Sequence, residues 1–238
     1  MSTIKYPKII SVTGAHSKVG KTTLCSILLN EFKGFGAIKF TKTPEHRAQS
    51  LPTGQAGTEH RQTEVKKIRS SEDKNFSTSQ LPNFPSSKVT NSELIEDLNI
   101  LNQKGKDTAI FLESGAERVI WIQSPYYELE NILKTALGKM ADLEGLVIEG
   151  NSPVDFLNPH LIIFIIGVDG EIKPSALEVS KKADIIIINS EKHVKELSFL
   201  STLGRKGAKV FYINLLNRKG ELDKFLCFVK EKINQGPP

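Results

Sequence analysis

The sequence is poor in cysteine and has no long apolar run. Its 238 residues include only two cysteines, Cys25 and Cys227, and their spacing fits neither a disulfide framework nor a zinc site. Both fall among apolar residues of predicted helices, which predicts buried free thiols. No apolar run approaches the ~20 residues that a membrane-spanning helix needs. The polar start of the chain lacks the pattern of a signal or transit peptide. We therefore expect a cytoplasmic protein with no membrane partner.

The charged residues do not indicate a nucleic-acid partner. The chain has 32 lysines and arginines against 27 aspartates and glutamates, a formal net charge of +5. The basic residues are scattered, apart from short pairs such as Lys66-Lys67 and Lys181-Lys182. A nucleic-acid-binding protein usually concentrates its basic residues on one face. We therefore expect no nucleic-acid partner, and the 39% of hydrophobic residues is enough for a sizeable core.

The most informative stretch lies near the start of the chain. Residues 8–13 form a short apolar strand pattern, residues 14–20 are mostly small, and a helical pattern begins at Lys21. The residues Gly20-Lys21-Thr22 fit the last three positions of the phosphate-binding pattern G-x-x-x-x-G-K-[ST]. Ala15 stands where the first glycine of that pattern is expected, and Gly14 lies one residue earlier. The order of strand, loop and helix predicts a phosphate-binding P-loop.

The residue types of this loop suit a nucleotide with Mg²⁺. Consecutive backbone N–H groups wrap a phosphate, and the positive end of the following helix attracts it. Lys21 is predicted to reach the β- and γ-phosphates as a catalytic group, and the Thr22 hydroxyl to ligate Mg²⁺. Lys18 is either a second phosphate ligand or a solvent-facing residue. The predicted nucleotide contacts in this stretch are Gly14, His16, Ser17, Lys18, Val19, Gly20, Lys21, Thr22 and Thr23.

Apolar strands alternate with helical patterns along the rest of the chain. Continuous apolar strands separated by helices are typical of a parallel sheet that is covered on both faces. We therefore predict a doubly wound, mainly parallel α/β fold of the P-loop NTPase type, with three layers (α/β/α). Further strands are predicted at 37–41, 119–123, 146–148, 161–166, 185–188 and 210–213. Further helices are predicted from Ser92 up to Gly105, from Asp107 as N-cap to Gly115, and at 126–140, 175–182, 192–203 and 222–233.

Residues 43–91 interrupt this alternation. They are rich in serine, threonine, glutamine, glutamate, lysine and proline, and they contain few aliphatic residues. Such a segment cannot bury enough apolar surface to offset the entropy lost on ordering. We therefore predict a single nucleotide-binding domain over residues 1–238, with a mobile polar insertion at 43–91.

Polar residues follow several predicted strands. Ligands of open α/β sheets bind beyond the carboxyl ends of the strands. Glu149 is predicted there as a catalytic group and a ligand of Mg²⁺ or its water shell, and Asn189 as a contact to the nucleotide base. The alternative for Asn189 is a turn residue. Lys39 meets either a phosphate, an acidic substrate or solvent. Asp107 and Glu113 either handle a substrate or second cation, or cap a helix.

These residues resemble two groups of proteins. The run Thr13-Gly14-x-x-x-x-Val19-Gly20-Lys21-Thr22 is similar to the loop of dethiobiotin synthetases and of the amidases of corrin biosynthesis. Three features look more like the molybdopterin-guanine dinucleotide biosynthesis protein B family. They are Gly105-Lys106-Asp107-Thr108, the later Gly115-Ala116, and Glu149-Gly150 after an apolar strand. The resemblance covers most of the chain outside 43–91. The sequence departs from that family at His16-Ser17-Lys18, at Glu113 and at Asn151-Ser152.

The resemblance implies a function and leaves an alternative. It implies binding of GTP or ATP with Mg²⁺, weak hydrolysis and a homodimer. It also implies an accessory role in making the molybdenum cofactor, with a cofactor-biosynthesis enzyme as a possible partner. The alternative is an ATP-dependent ligase or kinase of the dethiobiotin synthetase type, which activates a small carboxylate. The choice between GTP and ATP stays open, because Asn189 is not followed by the Lys-x-Asp pattern that would favour guanine.

Overall fold

The structure is a computed structural model of the chain, and it describes residues 7–44, 91–190 and 198–235. The described residues belong to one compact unit, built from the chain on both sides of residues 45–89. Most of the predicted insertion therefore lies outside the described residues. Among the helices of the described ranges, none has the length and apolar character needed to cross a membrane.

Within these ranges, nine strands form a single, mainly parallel sheet. The order across the sheet is β3-β4-β2-β5-β1-β6-β7-β8-β9, so β1 lies at its centre. The short edge strands β3 and β9 run antiparallel to their neighbours, and the other neighbouring pairs are parallel. The strands are β1 (Lys8–Gly14), β2 (Phe35–Lys42), β3 (Glu93–Ile95), β4 (Val119–Ser124), β5 (Gly145–Glu149), β6 (Leu161–Ile166), β7 (Ile185–Ile188), β8 (Lys209–Asn214) and β9 (Lys219–Gly220).

Helices cover both faces of this sheet. The helices are α1 (Lys21–Glu31), α2 (Leu98–Leu101), α3 (Asp107–Glu113), α4 (Leu129–Lys139), α5 (Pro174–Lys181) and α6 (Leu222–Asn234). Buried residues of α1, α3 and α6 pack on one face, and those of α4 and α5 pack on the other. Alternate residues of a strand point to opposite faces, so Val147 joins the first cluster while Leu146 and Ile148 join the opposite one. The predicted α/β class with three layers is confirmed.

The prediction of a helix from Ser92 to Gly105 is wrong in its first half. Residues Glu93–Ile95 form β3, which pairs antiparallel with β4. Leu94 lies opposite Ile122 in that pairing. Residues 93–95 therefore pair with the edge of the sheet at β4, which they could not do as part of a helix. The helix α2 starts only at Leu98, where the Asp97 side chain accepts a hydrogen bond from the backbone N–H of Asn99 at 2.8 Å.

Three smaller predictions also need correction. Asp107 is the first residue of α3 rather than its N-cap, which is Lys106. In the region predicted as helix 192–203, Ser198–Thr202 form a 3₁₀ helix, and residues 192–197 lie outside the described ranges. Cys25 is buried as predicted, but Cys227 is exposed, because it lies on the solvent side of α6 while Phe225 and Val229 face the core.

Candidate functional site

The loop between β1 and α1 has a backbone shape that requires glycine at Gly20. Gly20 has φ 111°, and a Cβ atom there would lie 2.8 Å from Leu215 Cδ1. Non-glycine residues rarely adopt such a positive φ, because the Cβ atom clashes with the backbone. Gly20 is also the N-cap of α1, so the loop delivers the free N–H groups of this eleven-residue helix towards the carboxyl end of β1.

Two asparagine side chains hold this loop from outside it. Asn151, just after β5, accepts a hydrogen bond from Gly14 N and donates one to Gly14 O, both at 3.0 Å. Asn189, just after β7, donates to Val19 O at 3.0 Å and accepts from Leu215 N at 3.1 Å. The start and the end of the loop are therefore each fixed by the strand-end residue of a different strand.

Lys21 lies against the loop. Its ammonium donates a hydrogen bond to His16 O at 2.8 Å. Burial lowers the pKa of Lys21 below its ordinary value, although the Glu149 carboxylate acts in the opposite direction. A partly desolvated ammonium is less strongly hydrated than one in bulk water, so it gains more from contact with an anion. A phosphate oxygen in the loop would offer Lys21 such a contact.

Glu149 is the centre of a cluster of charged and polar groups. The carboxylate is almost completely buried, with 3% of the side chain exposed. Its Oε2 accepts a hydrogen bond from Thr22 Oγ1 at 3.1 Å, and its Oε1 lies 2.5 Å from Lys39 Nζ. The same ammonium lies 2.6 Å from Asp107 Oδ2. Lys39 therefore bridges a buried carboxylate and a more exposed one.

The pKa of Lys39 reflects this position. Burial, the largest single influence, lowers the pKa, but Glu149 and Asp107 together raise it above its ordinary value. Lys39 is therefore charged at neutral pH. A buried carboxylate without a counter-charge would be strongly destabilising, so Lys39 supplies the charge that the buried Glu149 requires.

These groups open into one cavity of about 670 Å³ at the carboxyl end of the sheet. Lysines in its lining outnumber carboxylates by five to two: Lys18, Lys21, Lys39, Lys42 and Lys173 against Asp107 and Glu149. Most of the other lining residues are small or carry a hydroxyl group. A cavity with this excess of positive charge attracts polyanions.

Most of the predicted site residues meet in this cavity. Gly14, His16, Ser17, Lys18, Gly20, Lys21, Thr22, Thr23 and Glu149 all line it. Val19 is buried, and its carbonyl is bound by Asn189 behind the loop. Asn189 is likewise not among the lining residues, so its contact with a base stays a prediction. Asp107 lines the cavity, whereas Glu113 is exposed at the other end of α3.

The sequence reasoning missed several lining residues. Asn151 and Ser152 follow Glu149 at the end of β5, and Lys173 and Ser175 lie at the start of α5. Asn151 was the one with a visible signal, because a polar side chain just after a buried strand in such a sheet is placed where ligands bind. Lys173 carried no such signal, since nothing local distinguishes it from other exposed lysines.

The donors near Glu149 suit Mg²⁺. This ion prefers oxygen ligands, and it usually takes one or two from the protein and the rest from phosphates and water. Thr22 Oγ1 and Glu149 Oε2 are hydroxyl and carboxylate oxygens that already lie 3.1 Å apart. In the described residues, no group of three or more His, Cys, Asp or Glu side chains is placed to hold a metal by itself. The residues therefore fit a cation that arrives with a phosphate ligand.

A second, smaller cavity of about 220 Å³ adjoins the first one. The two share Lys39 and Asp107, and Trp121 and Thr108 line the smaller one. Its wall also includes Lys106, whose ammonium lies 4.9 Å from the centre of the Trp121 ring. The indole N–H of Trp121 donates to Thr41 Oγ1 at 3.0 Å. This smaller cavity lies beside Lys39 and Asp107, on the β4 side of the sheet.

Comparison with known proteins assigns the chain to no family. None of the protein-family models matches it, and the search of curated proteins found no significant match. The fold and the cavity therefore define an α/β protein with a lysine-rich cavity at the carboxyl end of its sheet.

Proposed function

We propose that this protein binds a purine nucleoside triphosphate, GTP or ATP, together with Mg²⁺, and hydrolyses it slowly. The observation that carries the proposal is the joint placement of three features. The glycine-dependent loop leads into α1, Lys21 lies against that loop, and the Thr22 hydroxyl meets the buried Glu149 carboxylate. This arrangement matches the needs of phosphate binding and of a phosphate-bound Mg²⁺.

Each group has a role in this proposal. The N–H groups of the loop and of α1 bind the phosphates, and Lys21 contacts the β- and γ-phosphates. Thr22 and Glu149 are the residues that would hold Mg²⁺, directly or through its water shell, and Glu149 would then act next to the phosphoryl group that is transferred to water. When bound, Mg²⁺ neutralises the charge that develops on the phosphate oxygens. The remaining lysines of the cavity add to the attraction for the polyanion.

The proposed cellular role rests on the resemblance described above. We place the protein as an accessory nucleotide-binding protein of molybdenum cofactor biosynthesis, in the cytoplasm. It would act as a homodimer and assist a cofactor-biosynthesis enzyme. The order of the short motifs, rather than any one of them, supports this role.

Calorimetric titration tests the central claim. GTP and ATP, each with Mg²⁺, are titrated into the wild type, into Lys21→Ala and into a control, Lys206→Ala. The control removes an exposed lysine that does not line the cavity. Micromolar binding that Lys21→Ala abolishes and Lys206→Ala retains would support nucleotide binding, and a preference for GTP would favour the cofactor role. If neither nucleotide binds the wild type, the proposal is wrong.

The cavity beside Trp121 favours a second candidate function. Its position next to Lys39 and Asp107 leaves room for a second ligand near the proposed γ-phosphate site. A ligase or kinase that activates a small carboxylate needs such a space. Turnover distinguishes the two candidates. An accessory protein hydrolyses slowly whichever small acid is added, whereas a ligase is accelerated by its substrate and prefers ATP.

A further inference from the structure

Lys39 occupies the place where a divalent cation would meet Glu149. It lies on β2 directly opposite Glu149 on β5, in the register of the parallel pair. Its ammonium lies 2.5 Å from one oxygen of that carboxylate, and the Thr22 hydroxyl occupies the other. Both oxygens of Glu149 are therefore engaged by the protein itself.

The position of Lys39 is well anchored. Only 17% of its side chain is exposed, and Asp107 holds the ammonium from a second side at 2.6 Å. A divalent cation that approaches Glu149 must displace this ammonium, because two cations cannot share one small carboxylate cluster without strong repulsion. The displaced ammonium also needs a new anion, since leaving it partly buried and unpaired is costly.

We propose that Lys39 is the internal counter-ion of Glu149 until nucleotide binds, and that it then moves to the phosphates and releases Glu149 to Mg²⁺. This inference rests on the proposed function and adds the order of events at that site. Lys39 is a positioning residue in this scheme, because it acts on the cation through Glu149. The consequence is coupled binding: the cation binds poorly alone and well with nucleotide, and each ligand favours the other to the same degree.

Mn²⁺ is a suitable probe, since its free concentration can be followed by electron paramagnetic resonance. The full-length wild type is compared with Lys39→Gln, whose amide can still donate to a carboxylate, and with Lys39→Arg, which restores the charge. The matched control is Lys173→Gln, which removes a charge from the same cavity at an exposed position.

Without nucleotide, we expect Lys39→Gln to bind Mn²⁺ about tenfold more tightly than the wild type, or more. Lys39→Arg should stay close to the wild type. Lys173→Gln should gain less than about twofold at physiological salt, because exposed charges are screened. With a non-hydrolysable triphosphate analogue bound, the advantage of Lys39→Gln should disappear, since Lys39 has then left Glu149 in the wild type as well.

Two outcomes would overturn the inference. One is equal Mn²⁺ affinity of the wild type and Lys39→Gln without nucleotide. The other is a gain in Mn²⁺ affinity in Lys173→Gln as large as that in Lys39→Gln, because the overall charge of the cavity would then explain the effect. A gain in Lys39→Gln combined with no nucleotide binding to the wild type would support Lys39 as counter-ion and contradict the proposed function. The two failures are therefore distinguishable.

A measurement on the wild type covers the case in which Lys39→Gln does not fold. The ammonium groups of ¹⁵N-labelled lysines are followed by nuclear magnetic resonance, and Lys39 is assigned with Lys39→Arg. The Lys39 signal should be unchanged by Mg²⁺ alone and should shift when nucleotide is added. A shift caused by Mg²⁺ alone would contradict the inference, because it would show that the cation displaces Lys39 without help from phosphate.

Discussion

Replacing Asn189 by alanine tests whether this residue acts on the loop or on a nucleotide base. The change removes two hydrogen bonds, one to Val19 O and one from Leu215 N. A neutral hydrogen bond contributes about 0.5–1.5 kcal/mol to stability, so the loss is about 2 kcal/mol. For a domain of this size, such a loss lowers the midpoint of thermal unfolding by about 4–8 °C.

The same contacts predict how ligand binding changes. Asn189 holds the end of the loop, so its removal should weaken every ligand that the loop grips. We expect GTP, ATP and inorganic tripolyphosphate to lose affinity by the same factor in Asn189→Ala. The assay is calorimetry with the three ligands, together with thermal unfolding followed by circular dichroism. Asn158→Ala, which alters an exposed asparagine, is the control and should change neither property.

The reasoning is refuted by a selective result. If Asn189→Ala unfolds at the wild-type temperature, binds tripolyphosphate normally and loses affinity for one nucleotide only, then Asn189 reads the base and its contacts with the loop are incidental. That result would restore the role predicted from the sequence. Equal losses for all three ligands would instead assign Asn189 to the support of the loop.

Three further predictions concern single substitutions. Asn151→Ala removes both hydrogen bonds to Gly14, so urea unfolding should show a loss of about 2 kcal/mol in the free energy of unfolding. An unchanged unfolding midpoint would contradict the claim that Asn151 holds the loop. Gly20→Ala places a side chain at φ 111° and against Leu215, so the free energy of unfolding should fall by about 1–3 kcal/mol. Calorimetry should then show no nucleotide binding. Wild-type stability and binding would contradict the claim that this position requires glycine. His160 accepts a backbone hydrogen bond, and burial, helped by a nearby lysine, lowers its pKa below 6.5. The unfolded chain therefore takes the proton first, so the wild type should lose stability as the pH falls from 6.5 through the lowered pKa, and His160→Asn should lack this loss in unfolding experiments.

The central strands could be predicted from the sequence because their environment leaves a local signal. A strand that is buried on both faces is mostly apolar along its length, and Ile185–Ile188 of β7 consists of four isoleucines. The start of α1 was predictable for a similar reason. A glycine followed by a lysine and a threonine is typical of a phosphate-binding loop that leads into a helix.

Features that depend on distant partners could not be predicted. The strand β3 exists because β4 offers an unpaired edge, and its own residues also fit a helical spacing. The pairing of Lys39 with Asp107 joins residues on two sides of the segment 45–89, so no local pattern contains it. The hydrogen bonds between Asn151 and Gly14 join residues that are 137 positions apart. Such contacts follow from the strand order rather than from any stretch of sequence.

The two edges of the sheet have a consequence for how copies of this chain can meet. Within the described residues, the parallel core ends at each edge in one very short antiparallel strand, β3 with three residues and β9 with two. Long, unpaired edges recruit other chains through backbone hydrogen bonds, and very short edge strands limit that risk. Such short edge strands therefore reduce the chance that another chain pairs with the edge of this sheet. A homodimer of this protein, as proposed above, should therefore form through helices or loops, and its formation should leave the strand pairing of each copy intact.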